Sequence, residues 1–414
     1  MKKLYFALIF CYSQMAFAQT ISQHYNMANS PLPSDVVRCL AFNVAQNTLW
    51  IGTDNGLASV DLTSNNWQVF TTENSGLLDN QIRAITLDLD SNIWVGTYTA
   101  GLAMYNGSTW QAFTTNNSLL NDSFVRNIYI DTEQQKWLAT SGGVSVLDAT
   151  GNWTIYFFNT PAVTLNNVTD IVFDANQQPW FSTINTGLVG YNNDDFFALT
   201  GTNSNLPDNT ILAMAVGSGN TIWLASPFHG LTAFVPPNSF QTYTTLNSNI
   251  PTNYLNTVET NTKQQVLIGT PDMGLAIFTI PTNTWLNVNT SNSALPSNHI
   301  SSIALQTDTE AWLGTQNGVV LCRFTAPFVD GVREEEVAPK LNVYPNPVNN
   351  YLSVQTNSSA QTSIQLLDGI GRVIYSTATN PAIFNIQSLP NACYWVVMQS
   401  ANNRIVKKVV KIGD

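Results

Sequence analysis

The chain has 414 residues, of which 44% are hydrophobic and only 10% charged, with a formal net charge of −11. An acid-rich chain repels a phosphate backbone, so nucleic acid is not expected as a partner. The length suits one large domain and a small second one, and abundant Asn, Thr and Ser suit an all-β protein wetted by amides and hydroxyls.

Residues 1–18 read as a secretory signal peptide. Lys2 and Lys3 form the positive region, Leu4 to Tyr12 the apolar stretch, and Ala16-Phe17-Ala18 the cleavage site, so the mature chain is expected to begin at Gln19. Cys11 follows Phe10, where lipoprotein processing wants a small residue, so no lipid anchor is expected. No later stretch reaches the ~18 apolar residues of a spanning helix, and no transmembrane segment is expected.

A strand-like motif then recurs seven times: Trp, an aliphatic residue, Gly or Ala, Thr or Ser, and soon a Gly. Its copies begin at Trp50, Trp94, Trp137, Trp180, Trp223, Leu267 and Trp312, in steps of 44, 43, 43, 43, 44 and 45 residues. That period leaves room for four short strands and is the period of a β-propeller blade. In blade 2 the strands are expected at Gln81–Asp88 (A), Ile93–Thr97 (B), Leu102–Tyr105 (C) and Trp110–Thr114 (D), with Asn106-Gly107 as a hairpin turn. Small residues at Gly52, Gly96, Ala139, Ser182, Ala225, Gly269 and Gly314 imply close packing, and the Trp before each is expected to pack between blades rather than to stack on a ligand. Blade 7 has strands A to C but no Trp-rich strand D. Ser22–Asn29 aligns with Gln68–Asn74 and is expected to supply it, closing a seven-bladed ring over residues 19–325.

Cys39, Cys322 and Cys393 remain after signal removal, and an odd number cannot all pair internally. Cys39 lies early in blade 1 and Cys322 late in blade 7. Ring closure makes those blades neighbours, so a bridge between them is left open beside the plainer reading of small buried hydrophobes.

The repeat resembles the two-component regulator propeller repeat. Blade 2 carries that pattern as Ile85, Asp88, Trp94-Val95-Gly96-Thr97 and Gly101-Leu102, and the connector appears as Asn203–Asn209 and Asn292–Asn298. The resemblance implies the fold. In larger relatives such propellers sense ligands for a histidine kinase, but no kinase or membrane span stands in this sequence, so a signalling role is not carried over.

Residues 326–340, with Glu334-Glu335-Glu336, read as an exposed linker. Residues 341–414 hold seven or so short strands separated by turns, which suggests a small β-sandwich. Tyr344-Pro345-Asn346-Pro347, the Gly369–Gly371 turn, Leu389-Pro390 before Tyr394, and the basic end with Lys407, Lys408 and Lys411 resemble the type A sorting domain of the type IX secretion system. Ala392-Cys393 stands where that family has Gly. The resemblance implies a partner, the type IX machinery, and a destination at the cell surface or outside the cell. The alternative is that the Tyr-Pro-Asn-Pro run is an ordinary strand-entry turn.

Chemistry is sparse. His24, His229 and His299 are not spaced as ligands, and no Cys/His metal spacing, nucleophile elbow or Gly-rich phosphate loop is present, so no metal, cofactor or catalytic residue is expected. Asp88, Asp131 and Asp174 end their A strands and are expected to stabilise turns. Three of the ring's six basic residues, Arg38, Arg83 and Arg126, hold one repeat position in blades 1 to 3, where the other blades have Thr169, Leu212, Asn256 and Ser301. The geometry of a propeller places them together near one channel mouth, where planar guanidiniums suit a carboxylate or phosphate. The competing reading is that each pairs with a neighbouring acid such as Asp35. The B–C loops on the same face carry Tyr98, Phe228, His229 and Asp272, suited to a glycan or peptide. The leading expectation is therefore an exported, non-enzymatic binding module for a glycan, small anion or protein. The alternatives are a secreted polysaccharide lyase or hydrolase acting at the channel mouth, and an accessory component of the secretion apparatus.

Overall fold

The computed structural model describes residues 19–156, 166–192, 195–324, 341–356, 363–369, 371–378, 381–399 and 404–412. The segments read as signal peptide and linker lie outside them. The chain forms two compact units, Met1–Ala326 and Pro327–Asp414.

Among the described residues the first unit contains seven four-stranded antiparallel sheets. Six are built from consecutive strands, the first from Val37–Asn43, Thr48–Thr53, Gly56–Asp61 and Asn66–Phe70. The seventh is composite. Ile300–Thr307, Glu310–Thr315 and Gly318–Phe324 supply its inner strands, and Gln19–Tyr25 its outermost. That outer strand runs antiparallel to the last, with Gln19 opposite Phe324 and Tyr25 opposite Val319. The innermost strand of blade 1 lies against those of blade 2 and blade 7.

Local chemistry explains the composite blade. Behind blade 1, the Asn74 side chain accepts the Thr71 N–H and donates to the Val69 carbonyl, while the Ser75 hydroxyl donates to the Thr71 carbonyl. Behind the N-terminal strand, Asn29 accepts the Asn26 N–H and donates to the His24 carbonyl, and Ser30 donates to the Asn26 carbonyl. Tyr25 stacks on Trp312 with centroids 5.9 Å apart, as Phe70 stacks on Trp50 at 5.9 Å. The N-terminal strand is thus a D strand in sequence and in contacts.

Each ladder Trp packs into the following blade. Trp50 joins Leu77, Ile82 and Val95 of blade 2, and Trp312 joins Val37, Leu49 and Ile51 of blade 1. The small residue after it makes room. A Cβ on Gly96 would lie 2.8 Å from Val125 Cγ1 and 3.0 Å from the Val125 carbonyl oxygen.

The same repeat chemistry fixes the loops of one face. The Thr97 hydroxyl donates to the Gly101 carbonyl at 2.9 Å, and the Gly101 N–H donates to Ser123 O, in the connector to blade 3, at 2.9 Å. Thr53 with Gly56, Thr183 with Gly187 and Thr315 with Gly318 repeat this, their Gly N–H groups donating to Asn80, Asn209 and Asp35 carbonyls. B–C loops and connectors are therefore locked together, a rigid platform around the channel mouth.

Cys39 and Cys322 are free thiols, so the bridge left open in the sequence does not form. They face opposite ways. Cys39 packs at the boundary of blades 1 and 2, and Cys322 in the cluster shared by blades 6 and 7. Burial raises both thiol pKa values to about 12.

The second unit is a two-sheet sandwich. Leu341–Tyr344, Tyr351–Thr356 and Ala382–Asn385 form one sheet. Val373–Thr377, Ser363–Leu367, Cys393–Gln399 and Arg404–Val410, in that order across the sheet, form the other. Leu352, Val354 and Phe384 of the first meet Ile364, Leu366, Val396 and Met398 of the second in its core.

Candidate functional site

Arg38, Arg83 and Arg126 line one central cavity of about 480 Å³, together with Thr169, Leu212, Asn256 and Ser301 from the remaining blades. Their environments differ. Asp54, in the B–C loop of blade 1, takes Arg38 in a bidentate pair, Nε to Oδ1 at 2.9 Å and Nη2 to Oδ2 at 2.6 Å. Arg83 Nη1 donates to the same Oδ1 at 2.9 Å and also to its neighbour's Ile82 carbonyl, while Nη2 donates to Gln81. Hydrogen bonding from Arg38, reinforced by Arg83, holds the Asp54 carboxyl below its ordinary range, and Asp54 raises the Arg38 pKa in return. The acid offered by the sequence, Asp35, is engaged elsewhere, accepting the Met27 N–H at 2.7 Å.

Arg126 is different. Its Nη2 donates to the Ser141 hydroxyl at 3.1 Å, and its guanidinium lies 4.1 Å over the Phe124 ring. Among the described residues no carboxylate lies within ion-pair distance of it, and its buried Nε has no acceptor. Burial lowers its pKa, with Asp122 acting in the opposite sense only through space. Tyr98 joins the cluster, since Arg83 sits 5.0 Å over its ring and Tyr98 meets Phe124 edge-on at 4.7 Å. Two guanidiniums thus bracket an aromatic pair. Phe124 was not singled out in the sequence, although an aromatic two residues before Arg126 is the signal that could have marked it.

Tyr98, Phe228, His229 and Asp272 do not line this cavity, although Tyr98 touches it through Arg83. Asp208 accepts from His229 Nδ1 at 2.9 Å and from the Ser226 hydroxyl at 2.7 Å, turning the imidazole Nε2 edge outward. Phe228 is exposed and meets Tyr254 edge-on. Asp272 is exposed in the B–C loop of blade 6.

Two channel groups went unremarked in the sequence. Asp170 and Glu259 are carboxylates on innermost strands where the aligned residues of other blades are neutral. Asp170 accepts the Ile171 and Met214 N–H groups at 2.8 and 2.7 Å. Burial nevertheless raises its pKa to about 7, with Glu259 adding to the rise, and burial raises Glu259 as well.

In the second unit the Tyr344–Pro347 run meets the basic end of the chain. Asn346 Nδ2 donates to the Lys408 carbonyl at 2.9 Å, and Asn346 Oδ1 accepts the Val410 N–H at 2.9 Å. Val348 continues the seam, its N–H donating to the Val410 carbonyl. Asp368 caps the glycine turn by accepting the Arg372 N–H, with Gly371 at φ +86°. Tyr394 donates its hydroxyl to the Pro390 carbonyl, which explains the Pro-to-Tyr spacing. These residues form one interlocked unit, more than a strand-entry turn.

Residues 342–412 match the secretion system C-terminal sorting domain. The tail is a type IX sorting domain, which implies interaction with that machinery, and the chain is exported to the cell surface or the extracellular space. No helix among the described residues is long and apolar enough to cross a membrane. No curated protein matches the chain in sequence. Among solved structures it is similar to the extracellular domain assigned to a hybrid two component system of B. thetaiotaomicron, at 19% identity and a TM-score of 0.63 over 95% of this chain. It is also similar to PorZ, a surface component of the type IX secretion system of Porphyromonas gingivalis, at 18% identity and a TM-score of 0.56 over 90% of this chain. The chain spans 57% and 59% of those two. A streptogramin B lyase is matched over 98% of its length and 75% of this chain, at 11% identity and a TM-score of 0.59. At these identities the likeness is one of fold.

Proposed function

We propose that the chain is an exported, non-enzymatic binding module. Residues 1–18 take it across the inner membrane and the sorting domain carries it onward. The ring, residues 19–325, then holds a small anionic ligand, a carboxylate-bearing sugar or another organic acid, at the arginine-lined mouth of its channel. The observation that supports this is the contrast among the three arginines. Asp54 satisfies Arg38 and Arg83, whereas Arg126, which also lines the cavity, is half-buried, has no carboxylate partner among the described residues and keeps a buried Nε donor without an acceptor. A desolvated guanidinium without an acid gains more from an incoming carboxylate than one already neutralised. Phe124 and Tyr98 pack against the guanidiniums of Arg126 and Arg83 and hold them in place.

The test is a screen of the purified chain against uronic acids, oligosaccharides containing them, and small carboxylates, repeated with Arg126→Gln and Arg38→Gln. The expected result is an acid bound by the wild type, weakened tenfold or more by Arg126→Gln and little by Arg38→Gln. A folded Arg126→Gln protein that binds as the wild type does, or a wild type that binds none of these acids, overturns the proposal.

A further inference from the structure

The sorting domain buries one face of its four-stranded sheet and leaves the other partly exposed. Side chains alternate across a sheet, so residues opposite one another share a face. Inward, Leu366, Ile364, Val396, Met398 and Val409 enter the core. On the outward face the pairing sets Val373 beside Leu367, Leu367 beside Trp395, and Trp395 beside Lys408. In the next row Val406 stands opposite Val397, which is itself only 4% exposed. Val373, Trp395 and Val406 are 52, 38 and 46% exposed. This is an apolar row across four strands, ending at a lysine.

Two features argue what covers it. The first is charge. Residues 341–414 carry five Arg and Lys (Arg372, Arg404, Lys407, Lys408, Lys411) against Asp368 and Asp414, in a chain whose net charge is −11. A tail of net positive charge with Lys407 and Lys408 exposed, at the end of an acidic chain, fits an acidic partner. The second is the state of the neighbouring sheet edge. Asn346 occupies the Lys408 carbonyl and the Val410 N–H, and Val348 the Val410 carbonyl. A partner strand cannot add there, so recognition along this side falls to the face.

We infer that the Val373–Leu367–Trp395–Lys408 row is the surface by which the sorting domain docks on the secretion machinery, its partner there being a protein that presents an apolar strip bordered by carboxylates. The inference rests on the reading of the tail as a sorting domain and adds the face that is read. An exposed Trp flanked by aliphatics is the composition of an interface centre, and the lysine beside it belongs to the polar rim.

The experiment measures surface-exposed against periplasmic protein in a strain that secretes the full-length chain by the type IX route. Trp395→Ser combined with Val406→Ser is expected to cut the surface fraction tenfold or more, and Lys408→Glu to cut it severalfold. Ile383→Ser is the control, because Ile383 is 70% exposed in the other sheet and its loss should leave export unchanged. Thermal melts of the purified variants establish that each is folded. Normal export of a folded Trp395→Ser/Val406→Ser protein overturns the inference. So does a purified variant whose self-association or ring–tail association changes while export does not, because the row is then covered by the chain itself. Deleting residues 341–414 separates the two readings. Export that survives the deletion defeats the tail's sorting role, whereas export lost on deletion but intact in the double variant defeats only the face.

Discussion

The Asp131 carboxylate accepts the Trp137 indole N–H at 2.8 Å while its other oxygen accepts the Glu133 and Gln135 N–H groups, so one side chain closes the A–B turn and fixes the Trp that fills the next blade boundary. Asp88 does the same for Trp94, and Gln306 accepts the Trp312 indole N–H without capping the turn through its side chain among the described residues. Blade 5 has Gly217 at that position, and the buried Trp223 Nε1 has no acceptor. Asp131→Ala should therefore strand a buried donor and uncap the turn, at a cost of about 2 kcal/mol. Equilibrium denaturation of the purified chain checks this. An unchanged midpoint and slope would contradict it.

Acid should stabilise the ring over part of the pH range. Asp170 ionises near pH 4 in an unfolded chain but near 7 in the channel, where burial disfavours its charge. Between those values the unfolded state releases a proton that the folded state keeps. The contribution of Asp170 is thus fully present below about pH 4 and is lost as pH rises through about 7. Glu259, also raised, acts in the same sense. Asp54, lowered by its arginines, acts oppositely, and its contribution is lost as pH falls below the ordinary carboxylate range. Stability measured from pH 4.5 to 8 should decline toward neutrality. Asp170→Asn should flatten that decline even if it lowers stability through the Met214 hydrogen bond.

Cys39, Cys322 and Cys393 should react unequally. Cys393 is exposed, whereas Cys39 and Cys322 sit at blade boundaries with thiols raised to about 12. Since the thiolate is the nucleophile, a maleimide at pH 7.5 should add once per native chain, at Cys393, and three times after denaturation. Peptide mass spectrometry reads the sites. Rapid native labelling of Cys322, or a melting point that falls with reductant, would refute the packing described.

The repeat made the ring legible because a blade is specified locally. The Thr–Gly turn, the Asn–Ser connector and the small residue under the next blade recur, and each has a bond or a close contact behind it. The site was less legible for the opposite reason. Asp54 serves Arg38 from its own blade and Arg83 from the next, a pairing that depends on how adjacent blades are rotated and not on spacing within one. Asp170 and Glu259 share the channel but sit at different repeat positions on blades 4 and 6, so alignment could not bring them together. The cysteines failed similarly. Neighbouring blades suggested a bridge, but the side-chain direction that separates Cys39 from Cys322 is set by strand register.

Deleting Gln19–Tyr25 should do more harm than its length suggests. The segment contributes Tyr25, stacked on Trp312 and meeting Trp67 edge-on at 5.1 Å, and every backbone pairing of the outer edge of the last blade. Without it, Gly318–Phe324 becomes an open edge strand over an apolar cluster that includes Cys322 and Phe324. Such an edge invites pairing with another chain. The truncated protein should lose several kcal/mol, melt at markedly lower temperature and self-associate at micromolar concentration, as read by calorimetry and sedimentation. A synthetic peptide spanning residues 19–30, which keeps the Asn29 and Ser30 hydrogen bonds, should restore the monomer and part of the melting temperature. A truncated chain as stable and monomeric as the wild type would show that the ring does not depend on its composite blade.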